Sequence, residues 1–217
     1  MKPTTQLVQL NPLEQLQTGR LTRRLTQLVV GLSFFGLSMA MMIRGNLGLA
    51  PWDALHMGLT QHFPISFGWA VFIVSVIVML LWIPLREMPG IGTIANAVVI
   101  SAVADFSLSL LPTVDNFTLR LVLTVGGVWL CGFGSALYIG TQLGRGPRDG
   151  LMTGISRKTG LSLRLIRTLL EVSALSIGLV LAGLEVLGIG TVLFALLIGP
   201  LTQAMLPWVM IHVQKPE

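Results

Sequence analysis

The chain alternates long apolar runs with short polar interruptions. Residues 1–25 are polar, with Arg20, Arg23 and Arg24 grouped near their end. Six apolar stretches follow, at about 26–43, 67–85, 91–111, 119–139, 165–184 and 189–211. Each is close to the roughly 20 residues a helix needs to cross a bilayer at about 1.5 Å per residue. Pro84, Pro89, Pro112 and Pro207 stand at or near proposed ends, where a missing N–H costs little, and Gly199-Pro200 inside the sixth stretch predicts a kink there. The pattern predicts an all-α polytopic membrane protein with six transmembrane helices.

The pattern also repeats. Nine of the 24 positions in 36–59 are identical to those 96 residues later, including Gly36/Gly132, Gly48/Gly144, Pro51/Pro147 and Asp53/Asp149. Leu/Gly-rich composition alone would not put proline and aspartate in register. Gly90-Ile-Gly-Thr93 returns as Gly188-Ile-Gly-Thr191 at an offset of 98, so a two-residue insertion separates the two registers. Each unit reads as span, polar break, span, short turn, span. Three spans is an odd number, so a second unit built alike enters the membrane from the opposite side, an inverted repeat of the kind many secondary transporters use. The expected organisation is a tail at 1–25, a first repeat at 26–112, a second at 113–211 and a tail at 212–217.

Composition agrees with a membrane setting. Of 217 residues, 53% are hydrophobic and 11% charged, and the mean hydropathy is +0.81. Soluble domains carry about 25% charged residues. The net charge is +5, but the basic residues sit mostly between and outside the apolar spans and not on one face of a soluble domain, which argues against nucleic-acid binding. With the N-terminus inside, the cytoplasmic side collects 12 Lys and Arg residues, from Lys2 through Arg24, Arg86, Arg145, Arg157 and Arg167 to Lys215. The outer side has two, Arg44 and Arg120. This bias predicts a multi-pass protein of the cell (inner) membrane with both termini cytoplasmic. Trp69, Trp82 and Trp208 lie near span ends, where indole rings favour the interface. Cys131 stands alone, which excludes an intrachain disulfide and a multi-cysteine metal site.

The breaks carry the candidate chemistry. The first runs through Asn46, Pro51 and Asp53, and the second through Gln142, Pro147, Arg148 and Asp149. In both, a glycine-rich approach leads to proline, with aspartate two residues on. Proline at a first helical position with an acid in the first turn marks a helix start. Each break is therefore expected to hold a short helix after an unwound approach. Two placements fit the sequence. The helix lies at the interface, and its aspartate is only a dipole partner. Or it is re-entrant, and two helix N-termini from opposite faces build a central substrate or ion site. Irregular backbone at that depth requires a protein or water lining.

Other ionisable groups lie in the spans. Asp105 requires a partner there, and Arg44 and Arg120 are the candidates. Glu171 follows Arg167 by one turn and reads either as an interfacial ion pair or as a proton-relay carboxylate. His56, one turn from Asp53, can form a pH-sensitive pair. No nucleophile motif, phosphate loop or metal-ligand spacing occurs, so the expectation is no enzyme, no metal and no cofactor.

Three segments resemble the YczE-like integral membrane proteins of bacteria. They are Gly48-Leu-Ala-Pro-Trp-Asp-Ala-Leu-His56, Pro89-Gly-Ile-Gly-Thr-Ile-Ala-Asn96 and Gly144-Arg-Gly-Pro-Arg-Asp-Gly-Leu-Met152. The resemblance runs over about 30 to 207. It implies an inner-membrane location and supplies no catalytic residues. The function expected is a small secondary transporter or permease, its partners being the lipid bilayer and a small solute or ion. The alternative is a non-transporting membrane protein that modulates a partner or a biosynthetic pathway. A homo-oligomer is compatible with either.

Overall fold

The computed structural model describes residues 11–213; Lys2, Lys215 and the end of the C-terminal tail lie outside them. No strand occurs among the described residues. A short helix, α1 (Pro12–Gln17), precedes α2 (Leu21–Gly45), so the first span starts inside the stretch read as tail. Then come α3 (Pro51–His62), α4 (Phe67–Leu80), α5 (Trp82–Leu85) and α6 (Ile91–Leu110). The second half repeats the order with α7 (Phe117–Gly140), α8 (Pro147–Thr159), α9 (Leu163–Ala182), a 3-10 turn at Leu184–Val186 and α10 (Ile189–Val209). Six of these segments are long and apolar enough to cross a membrane, with α4 and α5 counting as one. Both short helices start at the expected prolines, and Ser66, Asn116 and Ser162 cap α4, α7 and α9.

Large apolar side chains such as Val180, Leu196, Phe106 and Ile83 are exposed all around the bundle. Lipid tails solvate such a surface, so hydrophobicity does not drive one helix onto another. Close contact at small residues and interhelical hydrogen bonds do. α2 and α7 form the antiparallel centre: Gly31 meets Leu137 and Tyr138, and Gly127 meets Met42 and Ser38. These contacts are equivalent, since 31 and 127, 42 and 138 and 38 and 134 are each 96 apart. α6 packs on α2 where Gly36 meets Val103 and Ala104, and α10 packs on α7 where Gly132 meets Leu201 and Thr202. These too match under the offsets of 96 and 98.

The short helices lie alongside spans rather than across their ends. Ala54 meets Gly178 and Gly58 meets Leu181, so α3 runs parallel to the last turns of α9 with its Pro51 end innermost. Gly154 meets Leu85 in the same way on α8, but Gly150 meets the indole of Trp82, the residue equivalent to Gly178. Trp82 is only 3% exposed and donates from Nε1 to the Pro147 carbonyl at 3.0 Å. The interfacial reading of Trp82 is thus corrected: a glycine opposite makes room for the ring. Trp69 and Trp208 are exposed.

A Cβ at Gly178 would lie 2.6 Å from the Ala54 carbonyl carbon. Gly178→Val is expected to destabilise the fold by about 1–3 kcal/mol through overpacking. Gly126→Ala, which meets only the mobile end of Met41, is expected to stay within about 0.5 kcal/mol. Thermal unfolding of both variants in nanodiscs checks this.

Candidate functional site

A helix that stops inside a bundle leaves carbonyls without partners. α2 ends at Asn46 (φ 48°) and α7 ends two residues before Gln142 (φ 55°), both left-handed. Gly48 (φ 107°) and Gly144 (φ 124°) then turn the chain in a region other residues rarely adopt. The freed carbonyls are collected by the opposite half of the molecule. Arg24 donates from Nε to Thr141 (2.8 Å) and from Nη2 to Gln142 (3.0 Å). Arg120 donates from Nε to Gly45 (2.9 Å) and from Nη2 to Asn46. Gly92 N–H donates to Leu143 and Gly190 N–H to Leu47, both at 2.7 Å. Every member of one set lies 96 or 98 residues from its counterpart. The recurring Gly-Ile-Gly-Thr turns thereby gain a reason. Their free N–H groups open α6 and α10 against the other half's break, where a Cβ at Gly92 or Gly190 would lie within 3 Å of a carbonyl oxygen.

Arg24 is fully buried and also donates to the carbonyls of Gln15 and Thr18, which docks α1. It was grouped with the basic tail in the sequence, and only extending the offset of 96 upstream would have paired it with Arg120. Two further sequence candidates, Asn46 and Gln142, serve this scaffold. Asn46 is exposed, and the Gln142 side chain donates to Ile211 at 2.8 Å. Asp105 meets neither Arg44 nor Arg120. Its carboxylate accepts from Ser66 Oγ and from Gly68 N–H (2.6 Å), so it holds the start of α4 onto α6. Arg44 instead donates to the Leu108 carbonyl.

The breaks deliver the first turns of α3 and α8 to each other. The Arg148 guanidinium lies 5.4 Å from the ring centroid of Trp52 and 5.8 Å from that of Phe35. Trp52 and Arg148 are themselves equivalent positions. Beside them a cavity of about 330 Å³ opens among α7, α8, α9 and α10. Pro147, Arg148, Asp149 and Glu171 line it, as does Gln203, the polar counterpart of Asp105 at the offset of 98, together with Tyr138, Asn96 and Thr202, which sequence reasoning missed. Tyr138 donates to Asp149 at 2.7 Å, and Arg167 pairs with Glu171 at 3.0 Å. Asp53, 5% exposed, is not among the lining residues. It lies 3.8 Å from Nδ1 of His56, whose ring meets Phe67 edge-on. Pro51 is buried at the head of α3.

A second, narrow cavity of about 30 Å³ lies on the other side of Arg148. Its lining includes Met39, His56, Val71, Val74 and Ile100, whose counterparts Ser135, Met152, Arg167, Leu170 and Ile198 line the large cavity. The two occupy matching places in the two halves, one wide and one narrow. The narrow side has α4 packed on α6 through Asp105; on the wide side α9 and α10 scarcely touch.

Residues 22–207 match a family described as "Family of unknown function (DUF6198)". The chain belongs to this family. Among similar proteins, an "Uncharacterized protein" of Haemophilus influenzae is 38% identical over 176 residues, covering 81% of this chain and 80% of its own. "Uncharacterized membrane protein YczE" of Bacillus subtilis is 35% identical over 189 residues, covering 86% and 87%. "Uncharacterized protein YyaS" of the same organism is 26% identical, covering 84% and 92%. No solved structure matches the chain. The YczE-like resemblance is therefore shown, and with the six apolar helices it makes this DUF6198 protein a multi-pass membrane protein.

The clamps are open to mutation. A hydrogen bond to a charged group contributes about 1.5–3 kcal/mol. Arg24→Gln, which unmakes several in a buried place, is expected to destabilise by about 3 kcal/mol or more, and Arg24→Lys by nearly as much because it lacks the fork. The exposed neighbour variant Arg23→Gln is expected to stay within about 0.5 kcal/mol. Thermal unfolding and the monodisperse fraction after extraction report the difference.

Proposed function

We propose that the chain is a small secondary transporter, a carrier rather than an enzyme, built from two inverted three-helix repeats and working by alternating access. The matching cavities carry this reading. One lining pattern occurs twice, wide at about 330 Å³ in the second half and shut at about 30 Å³ in the first. A carrier needs two gates that are never open together, and two such halves in unlike states provide them. The reciprocal carbonyl clamps support the inversion, since each arginine reaches the opposite half by the same two bonds. The depth of Pro51 along α9 and the meeting of Trp52 with Arg148 favour the re-entrant placement of α3 and α8.

In this reading both termini are cytoplasmic and the membrane is the inner one, as the Lys and Arg distribution favours. The mouth near Arg167 and Glu171 then faces the cytoplasm, and the Asp105–Ser66–Gly68 contact is the closed outer gate. Opening that gate and closing α9 onto α10 would exchange the two cavities. Gln203, equivalent to Asp105, is the residue poised to meet the start of α9. Asp149 lines the wide cavity, where a solute or coupling ion would reach it, and Asp53, at the matching place in α3, would be reached once the cavities exchange.

Two measurements test this. In a Cys131→Ser background, Arg167→Cys is expected to react with an impermeant maleimide from the cytoplasmic face and Val71→Cys from the outer face, each in a part of the population. A Val71→Cys thiol closed to the outer face under all conditions removes alternating access and leaves the modulator of a partner protein as the better reading. Asp53→Asn and Asp149→Asn are each expected to abolish flux in proteoliposomes while insertion persists. Normal flux through the double variant would sink the central-site reading.

A further inference from the structure

The charges around the large cavity are unevenly partnered. Glu171 has Arg167, and Asp149 has the Tyr138 hydroxyl. Arg148 makes no ion pair and no hydrogen bond among the described residues. Its neighbours are the faces of Trp52 and Phe35, which attract a cation but accept none of its five N–H donors in the plane. A guanidinium with unmet donors inside a membrane protein is costly unless something else meets them. Two further features point the same way. Arg148 stands in the first turn of α8 and against the first turn of α3, so the positive ends of two helix dipoles converge on it. His56, 4% exposed, lines the narrow cavity that shares Arg148 with the large one, and its Nδ1, 3.8 Å from the Asp53 carboxylate, lacks a hydrogen-bond partner. Asp53, in the first turn of α3, forms no ion pair with the guanidinium.

Resting on the carrier reading of this cavity, we propose that it takes a small organic anion whose carboxylate or phosphate is seated on Arg148 and whose apolar body lies against Phe194, Ile198 and Leu206. A planar fork set against two aromatic rings can meet two anionic oxygens at once, which a lysine cannot. The volume of about 330 Å³ is at the small end of ligand cavities, which run from about 300 to 1,000 Å³. Thr202, Gln203 and Asn96 are the polar groups within the apolar lining that would orient the body.

The test is binding to the full chain in phosphatidylcholine nanodiscs, read by calorimetry and thermal shift. The probes are benzoate, hexanoate and phenyl phosphate, against the neutral isostere benzamide and the cation benzylamine. At least one anion is expected to bind and raise the unfolding temperature, while benzamide and benzylamine do not. Arg148→Gln is expected to weaken that anion about tenfold or more, with Arg148→Lys between. Benzylamine binding as well as the anions, anion binding unchanged in folded Arg148→Gln, or silence across all three anions would overturn the proposal. Should Arg148→Gln not fold, the comparison of anions with isosteres on the unmodified chain decides alone. Nanodiscs doped with phosphatidate separate the sources. Displacement of benzoate by phosphatidate assigns the anion to a lipid headgroup, and undisturbed binding assigns it to a free solute; either keeps the anionic chemistry. Anion binding without flux in proteoliposomes strikes the carrier reading and spares this one, whereas flux of benzylamine strikes this one alone.

Discussion

The structure depends on two arginines that stand where a helix has been broken. Ending a helix inside an apolar bundle exposes carbonyls to a medium that offers no water. Each unmet group there costs several kcal/mol, enough to forbid the break. Arg24 and Arg120 remove the prohibition, each with a fork that spans two successive carbonyls. The N–H groups that open α6 and α10 take the next carbonyl along. With those groups satisfied, the chain can turn through a glycine and send a short helix back along its neighbours.

The rest of the design follows from where those short helices arrive. Their N-termini meet at the centre, so the two positive helix ends, an aromatic pair and a guanidinium share one small volume. Around it the two halves present matching linings that differ in detail. Gly178 lets α3 touch α9 backbone to backbone, whereas Trp82 separates α8 from α4 by an indole ring. Asp105 ties α4 to α6, while its counterpart Gln203 looks into open space. Equivalent positions in the two halves thus carry unlike contacts, and it is on this difference that the carrier reading rests.

Much of the fold was legible because it rests on local chemistry. Apolar length marks a span wherever it occurs, and proline followed by aspartate marks a helix start in any context, so Pro51 and Pro147 were found. What was not legible depends on pairings between residues far apart. Arg24 and Arg23 look alike in sequence, yet one is buried against four carbonyls and the other faces out. Trp82 resembles an interface anchor until Gly150 is seen opposite. Asn46 and Gln142 carry polar side chains at the right register, but their backbones, not their side chains, serve the break. For the candidate site, Arg148, Asp149 and Glu171 were found from the breaks and the spans. Tyr138, Asn96 and Trp52 came only from packing, because nothing in a helical aromatic or a lone asparagine distinguishes a cavity wall from a core.

The crossed clamps also bear on how the chain is made. Neither half can satisfy its own break: the carbonyls after α2 wait for Arg120, and those after α7 are met by Arg24 from the far end of the chain. During synthesis the first break therefore has no partner until the fourth span begins to emerge. Until then its unwound backbone must stay near water or be held by the insertion machinery. The halves are repeats in sequence, yet each completes the other's break, so neither is whole until both clamps are made.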